Sequence, residues 1–351
     1  MRKRFRFIRM FFTDLLLVLL VAGGMLYLEL LVYGVQQLRG QMNIVWNARP
    51  LDEVIKDASV PDSLKKKLEL VKEIRAYAFD SIDLVRNENY TSFFDLAGQP
   101  PIYVVTACRP AAMEPYRWHF PVLGAVPYKG FFRKELAVRE ARRLRAQGYD
   151  VQLGSAGGWS TLGYFNDPVL SNMLNYDEGD LSELIIHELT HGTLFVKDSI
   201  DFNENLASFV GYKGALQFMR SKFGADSREM KTYLQNRSDE SVVEKFMLRS
   251  AYRLDSLFKA AEKNKTPEQT VLREKYRLYV QILQEAKTLP LGRTGFSERL
   301  ERRLRKAGNA VFMSYVRYGS KQDDFEKEFS EKYKGDLRKY VAELRKKWPS
   351  L

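Results

Sequence analysis

The chain has 351 residues, 45% hydrophobic and 28% charged, with one cysteine and a formal net charge of +12. This composition supports a large buried core and excludes bulk disorder, while a lone Cys108 excludes an internal disulfide. The basic balance does not mark a nucleic-acid binder, because the positive residues interleave with acids along helical patterns and no recognition motif accompanies them; an anionic lipid or polymer surface fits better.

At the N-terminus Arg2, Lys3, Arg4, Arg6 and Arg9 precede an apolar run from Leu15 to Tyr33 that only Glu29 interrupts. As a helix it would cross about 30 Å, the thickness of a bilayer's hydrocarbon core. The expectation is a basic cytoplasmic segment over 1–10 and a transmembrane anchor over 11–34, with the remainder on the far side. A cleaved signal peptide is the rival reading, since Leu15 to Leu28 suffices for one, although no A-x-A-like site follows.

Residues 35–100 read as an N-terminal helical region, with Leu64, Leu68, Val71 and Ala78 at helical spacing inside a pattern from Leu51 to about Val85. Gly98-Gln99-Pro100-Pro101 marks a turn, and Ile102 to Thr106 reads as a strand next to Cys108, a small buried hydrophobe. Phe120 to Val126 reads as a second strand, Phe131 to Gln147 as an amphipathic helix and Asp150 to Leu153 as a third strand. Beyond residue 220 the pattern is helical and charged: Ser238 to Lys263, Pro267 to Lys287, Ser297 to Lys306, Asn309 to Tyr318 and Asp323 to Lys347. The fold class expected is α+β and predominantly helical, with a catalytic core over 101–220 and an appended helical region over 221–351.

The chemistry concentrates at His187-Glu188-Leu189-Thr190-His191. On a helix, residues four apart project from one face, so both imidazoles can reach one zinc ion, while Glu188 is rotated toward a water beside it. The helix would start at Gly179-Asp180 and run through Leu184, Ile185, Ile186 and Leu189. A catalytic zinc needs a third protein ligand. A three-histidine zincin is excluded because Leu194 and Lys197 occupy its last two key positions. Glu204, at the start of a second helical pattern running from Asp201 to Gln217, is the leading candidate, with Asp198 and Asp201 behind it. Ala207, Ser208, Gly211 and Ala215 lie within about 60° of Glu204 at 100° per residue, a face small enough for close helix approach. The competing reading is that Asp201 and Glu204 form only a capping box.

These residues resemble a bacterial family of membrane-associated zinc aminopeptidases. The resemblance rests on His187-Glu188-x-x-His191 followed by Phe202-Asn203-Glu204-x-x-Ala207, on Phe120-Pro121-Val122-x-Gly124-x-x-Pro127-Tyr128-x-Gly130 and on Ser160-Thr161-Leu162-Gly163-Tyr164-Phe165-x-Asp167-Pro168. It continues more weakly through Asn309-Ala310 and Gly335-Asp336-Leu337. The resemblance implies a zincin-like, gluzincin-type core with His187, His191 and Glu204 as zinc ligands and Glu188 as the catalytic carboxylate. Members often begin as lipoproteins; with no cysteine near its start, this chain departs from that pattern.

The expected activity is zinc-dependent peptide hydrolysis, with Glu188 taking a proton from water and passing it to the leaving amine. Tyr164, Tyr176 and Tyr212 are candidate oxyanion donors, and His119 reads as an ordinary core or surface histidine. Gly158, Trp159, Ser160 and Thr161 are placed along an extended peptide at a sheet edge, and Asn203 beside Glu204 or the substrate backbone. Asp177 and Glu178 are the nearest carboxylates for a free amine. The peptide and the membrane are the expected partners, with the catalytic part on the periplasmic side of the inner membrane. The alternative is a membrane-tethered, non-enzymatic helical protein with a structural or vestigial metal.

Overall fold

A computed structural model describes residues 28, 30–120, 124–155, 166–196, 199–293, 295–313, 315 and 322–348. The anchor expected over 11–34 lies almost wholly outside the described residues, and within them no helix is long and apolar enough to cross a membrane. The chain opens with helix α1 over 30–46, then β1 (Arg49–Pro50), α2 (Leu51–Lys56) and α3 (Asp62–Asp80). One helical pattern becomes two helices because Pro61, with no N–H to donate, directly precedes α3.

Strands β2 (Ser92–Phe94), β3 (Tyr103–Cys108), β4 (Trp118–Phe120), β5 (Gly124–Val126) and β6 (Lys129–Phe131) follow, then α4 (Lys134–Ala146), β7 (Asp150–Ser155) and β8 (Val169–Leu170). The single strand expected from Phe120 to Val126 is instead a hairpin, with Trp118 opposite Val126 and Phe120 opposite Gly124, whose φ of +68° suits glycine. β3 pairs antiparallel with β6 on one side and β7 on the other. A third small sheet orders β1-β2-β8, with β2 and β8 parallel.

The remaining helices are α5 (Glu178–His191), α6 (Ile200–Phe223), α7 (Arg228–Lys263), α8 (Glu268–Lys287), α9 (Phe296–Ala307), α10 (Gln322–Tyr333) and α11 (Leu337–Lys347). The helix expected from Asp323 to Lys347 is split because Lys334 and Gly335 take φ of +53° and +80°, and Asp336 then caps α11 by accepting from the Lys339 amide. Asn309 to Ala310 lie in a 3-10 turn over Gly308–Phe312 rather than at the start of an α-helix.

The fold is α+β and predominantly helical, and the described residues form three apolar cores. One surrounds α5 and α6 and draws on both ends of the chain: Leu68, Val71 and Ile74 of α3, Phe329 of α10, and Tyr340, Val341 and Leu344 of α11. A second joins α7, α8 and α9. The third fills the space between α4 and the β6-β3-β7 sheet with Val105, Ala107, Phe131, Ala141, Leu144 and Val151. Here the structure departs from the zincin layering expected, in which the metal helix lies beneath the sheet. Helix α5 packs on α3, α6 and α7, and the described residues show no zincin fold.

Asn309 ties the helical region to the sheet. Its amide donates to the Arg109 and Pro110 carbonyls at 3.1 Å each, and its backbone N–H donates to Asp150 at 2.7 Å. Lys275 completes the junction by donating to the same Asp150 carboxylate at 2.6 Å. Asn309→Ala leaves two partly buried carbonyls without this donor and should cost about 1 kcal/mol. Thermal denaturation reads this as a lower midpoint with metal content retained; an unchanged midpoint removes the latch role.

Candidate metal centre

Leu181, Ile185, Ile186 and Leu189 bury one side of α5, while Glu178 and Asp180 in its first turn complement the helix dipole. The helix ends at His191, followed by Gly192. Thr193 then accepts from the Val85 amide, anchoring the turn to the segment after α3. α6 returns antiparallel: Glu204 meets both histidines, Ser208 meets His187, and Gly211 lies against the backbone near Glu183 and His187. Its cap residue is Ser199, so Glu204 sits in the second turn, too far along to close a capping box.

His187 Nε2 and His191 Nε2 are 3.2 Å apart, and each lies 3.6 Å from an oxygen of Glu204. Ligands about 2.0–2.1 Å from a tetrahedral ion stand roughly 3.3–3.4 Å from one another, so the three groups already have the spacing a shared ion requires. Among the described residues no other set of three histidine, cysteine or carboxylate side chains converges this way. His187 Nδ1 faces Ser208 Oγ at 3.4 Å, a contact that can fix the ring with Nε2 toward Glu204.

Gly211 permits this approach. A Cβ there would fall 2.9 Å from the Glu183 carbonyl, 3.1 Å from His187 Cβ and 3.3 Å from His187 N. Gly211→Ala should push the helices apart at a cost of about 1–3 kcal/mol, lowering metal affinity roughly tenfold or more. Chelator competition measures this, and unchanged affinity with an unchanged fold refutes it.

Electrostatics divide the two imidazoles. Burial opposes charge on His187, but the Glu204 carboxylate 3.6 Å away and the Glu188 and Glu183 carboxylates outweigh it and raise its pKa. Burial, then the neighbouring His187, pushes His191 down to about 4. In the metal-free pair protonation is therefore easier at His187 than at His191, and a metal competes with a proton there. The Glu188 carboxyl is pushed up to about 7, chiefly by burial, with His187 opposing and Glu204 and Asp167 adding to the rise. A carboxylate in this range can both accept and return a proton near neutral pH.

Around this group lie residues that sequence reasoning did not assign. The Asp167 carbonyl accepts from the Tyr90 amide at 2.6 Å, and the Asp167 amide donates to Asn89 Oδ1 at 2.9 Å. This clamp holds Asp167 and the fully buried Tyr90 in the electrostatic surroundings of Glu188. One turn before His187, Glu183 accepts from Tyr233 Oη at 2.5 Å and pairs with Arg237 at 3.1 Å. The four-residue step from His187 could have flagged Glu183; nothing local could have linked Tyr90 to Glu188.

Of the other expected site residues, Gly158, Trp159, Ser160, Thr161 and Tyr164 lie outside the described residues, as does Asp198. Tyr212 lies beneath the Arg237 guanidinium, 4.7 Å from its ring, and beside Tyr233. Asn203 exchanges two 2.8 Å hydrogen bonds with the Val196 backbone and so staples the loop between α5 and α6, which explains its burial. Glu178 pairs with Lys67 at 2.9 Å, Asp177 accepts from Asn236, and His119 is exposed on β4. Cys108 is buried at the end of β3, and burial pushes its thiol up to about 12.

Two histidines one turn apart on a buried helix, facing a carboxylate from the next helix, define a protein with a His-His-Glu group able to hold a metal ion. The chain belongs to the family described as putative aminopeptidase, which matches residues 32–348. No curated protein and no solved structure matches it.

Proposed function

We propose that this chain is a zinc metallopeptidase whose ion is held by His187, His191 and Glu204. The convergence of those three groups at ligand spacing, with Glu188 on the same helix, carries the reading. Zinc bound there would polarise a scissile carbonyl and acidify water. Glu188 takes the proton from the attacking water as the new C–O bond forms, then delivers it to the amine nitrogen as the C–N bond breaks. Ser208 holds the His187 ring, and the Asn89–Asp167 clamp holds the surroundings of Glu188. Tyr164 and Tyr212 are proposed to oppose the developing oxyanion, and Gly158 to Thr161 with Asn203 to border the peptide. The anchor over 11–34 would hold this site at the periplasmic face of the inner membrane.

The family name favours cleavage at a free amino terminus. Matched peptides with free and acetylated N-termini test it. An aminopeptidase cleaves the free set at least tenfold faster, whereas equal rates indicate internal cleavage at the same metal.

A further inference from the structure

Helix α1 has two faces that do not match a helix bordered by water. At 100° per residue, Tyr33, Gln37, Gly40 and Ile44 fall within about 60° of one another. This side is fastened to the folded chain. Tyr33 Oη donates to the Gly130 carbonyl at 2.8 Å and Gln37 Nε2 to the same oxygen at 3.2 Å. The Tyr33 ring stacks on Phe120 and meets Phe131 edge-on, a Cβ on Gly40 would run into the Phe132 ring, and Ile44 is buried. The fastening therefore runs along most of the helix.

The opposite side carries Leu28, Leu31, Val35, Leu38 and Trp46 within about 80°, flanked by Val32. These are 58–74% exposed except Val32 at 47%. A water-facing surface helix normally reverses this, turning its apolar stripe inward and its charges out. The only charged residue between 30 and 46 is Arg39, at the edge of the stripe. The stripe also continues the apolar run Leu15 to Leu28, with the five basic residues before it.

We propose that the outward face of α1 lies in the plane of a phospholipid bilayer, so that the folded domain rests on the membrane along this face rather than hanging from a flexible tether. Because the helix is fastened lengthwise, its stripe meets lipid only when its axis runs parallel to the surface. Over residues 28–46 that contact extends roughly 27 Å, so the part of the anchor that crosses the bilayer is confined to 11–27, at the short end of the spanning range. Leucine and valine side chains enter the acyl boundary, Trp46 sits at headgroup level, and Arg39 at the edge of the stripe faces anionic phosphates. The continuity with an apolar run, and Arg39 as the one charge at its edge, favour lipid over a second copy of the chain. The inference rests on the membrane attachment proposed above.

The test uses the full chain reconstituted into phosphatidylethanolamine and phosphatidylglycerol vesicles. An environment-sensitive fluorophore is placed by Leu31→Cys or Val35→Cys in a Cys108→Ala background, with Tyr276→Cys, which replaces a side chain 72% exposed, as the comparison site. Labels at 31 and 35 should be quenched by brominated lipid and several-fold less by aqueous iodide than the label at 276. Iodide quenching equal to that at 276, with the protein still floating with the vesicles, overturns the lipid contact but leaves the anchor. Shielding from both quenchers, with disulfide cross-linking of unlabelled Val35→Cys chains, assigns the stripe to a second copy and also overturns it. Failure to float with the vesicles removes the membrane attachment itself.

Discussion

Replacing Glu188 by glutamine should lower peptide hydrolysis about 10²–10⁴-fold while the chain keeps its metal. The amide preserves size and hydrogen bonding but cannot take a proton from water, and Glu188 is not among the three converging ligand groups. The pH profile adds a sign. The active form of this carboxyl is the deprotonated one, and burial pushes the group up to about 7 without metal. A dication beside it favours the charged form and moves the value down. The wild-type rate should therefore fall as pH drops below neutrality, and this acid limb should vanish from the residual rate of Glu188→Gln. If the variant loses its metal instead, Glu188 is a ligand. If it keeps full activity, the peptidase reading fails.

Glu204→Ala should have the second large effect, on the metal rather than on the chemistry. It removes one of the three proposed ligands; structural zinc in zinc-finger peptides is held by about 10–16 kcal/mol, and a loss of about a third of that would lower affinity by roughly three orders of magnitude. The same change has a signature in the metal-free protein. The Glu204 carboxylate is the strongest influence raising His187, so its loss should lower the His187 pKa, an effect that NMR titration of the imidazole reads directly. Tight metal binding by this variant, with His187 titrating as before, would move the third ligand elsewhere.

Much of this centre is legible in the sequence because its geometry is local. Two histidines four apart need only a helix to share a face, and the apolar residues around them supply that helix. Glu204 is legible at one remove, since the small face of Ser208 and Gly211 records how closely another helix must pass. The carboxylate's place in the second turn of α6 settles what a D-x-x-E spacing leaves open, because the cap falls at Ser199. The surroundings of Glu188 are not legible. Asn89 and Asp167 meet across the fold, and neither carries a local periodicity that announces the contact. Likewise β1, β2 and β8 are two or three residues long, too short for alternation to show. The core of α5 and α6 draws on α3, α10 and α11 because apolar faces far apart in sequence have nowhere else to be buried.

The most direct measurement is anomalous diffraction at the zinc edge from crystals of the zinc-loaded full chain. The account predicts one strong peak about 2.0–2.1 Å from His187 Nε2, from His191 Nε2 and from a Glu204 oxygen, with one side of the coordination sphere left to solvent. A peak elsewhere, or an ion held by the two histidines while Glu204 turns away, would contradict it.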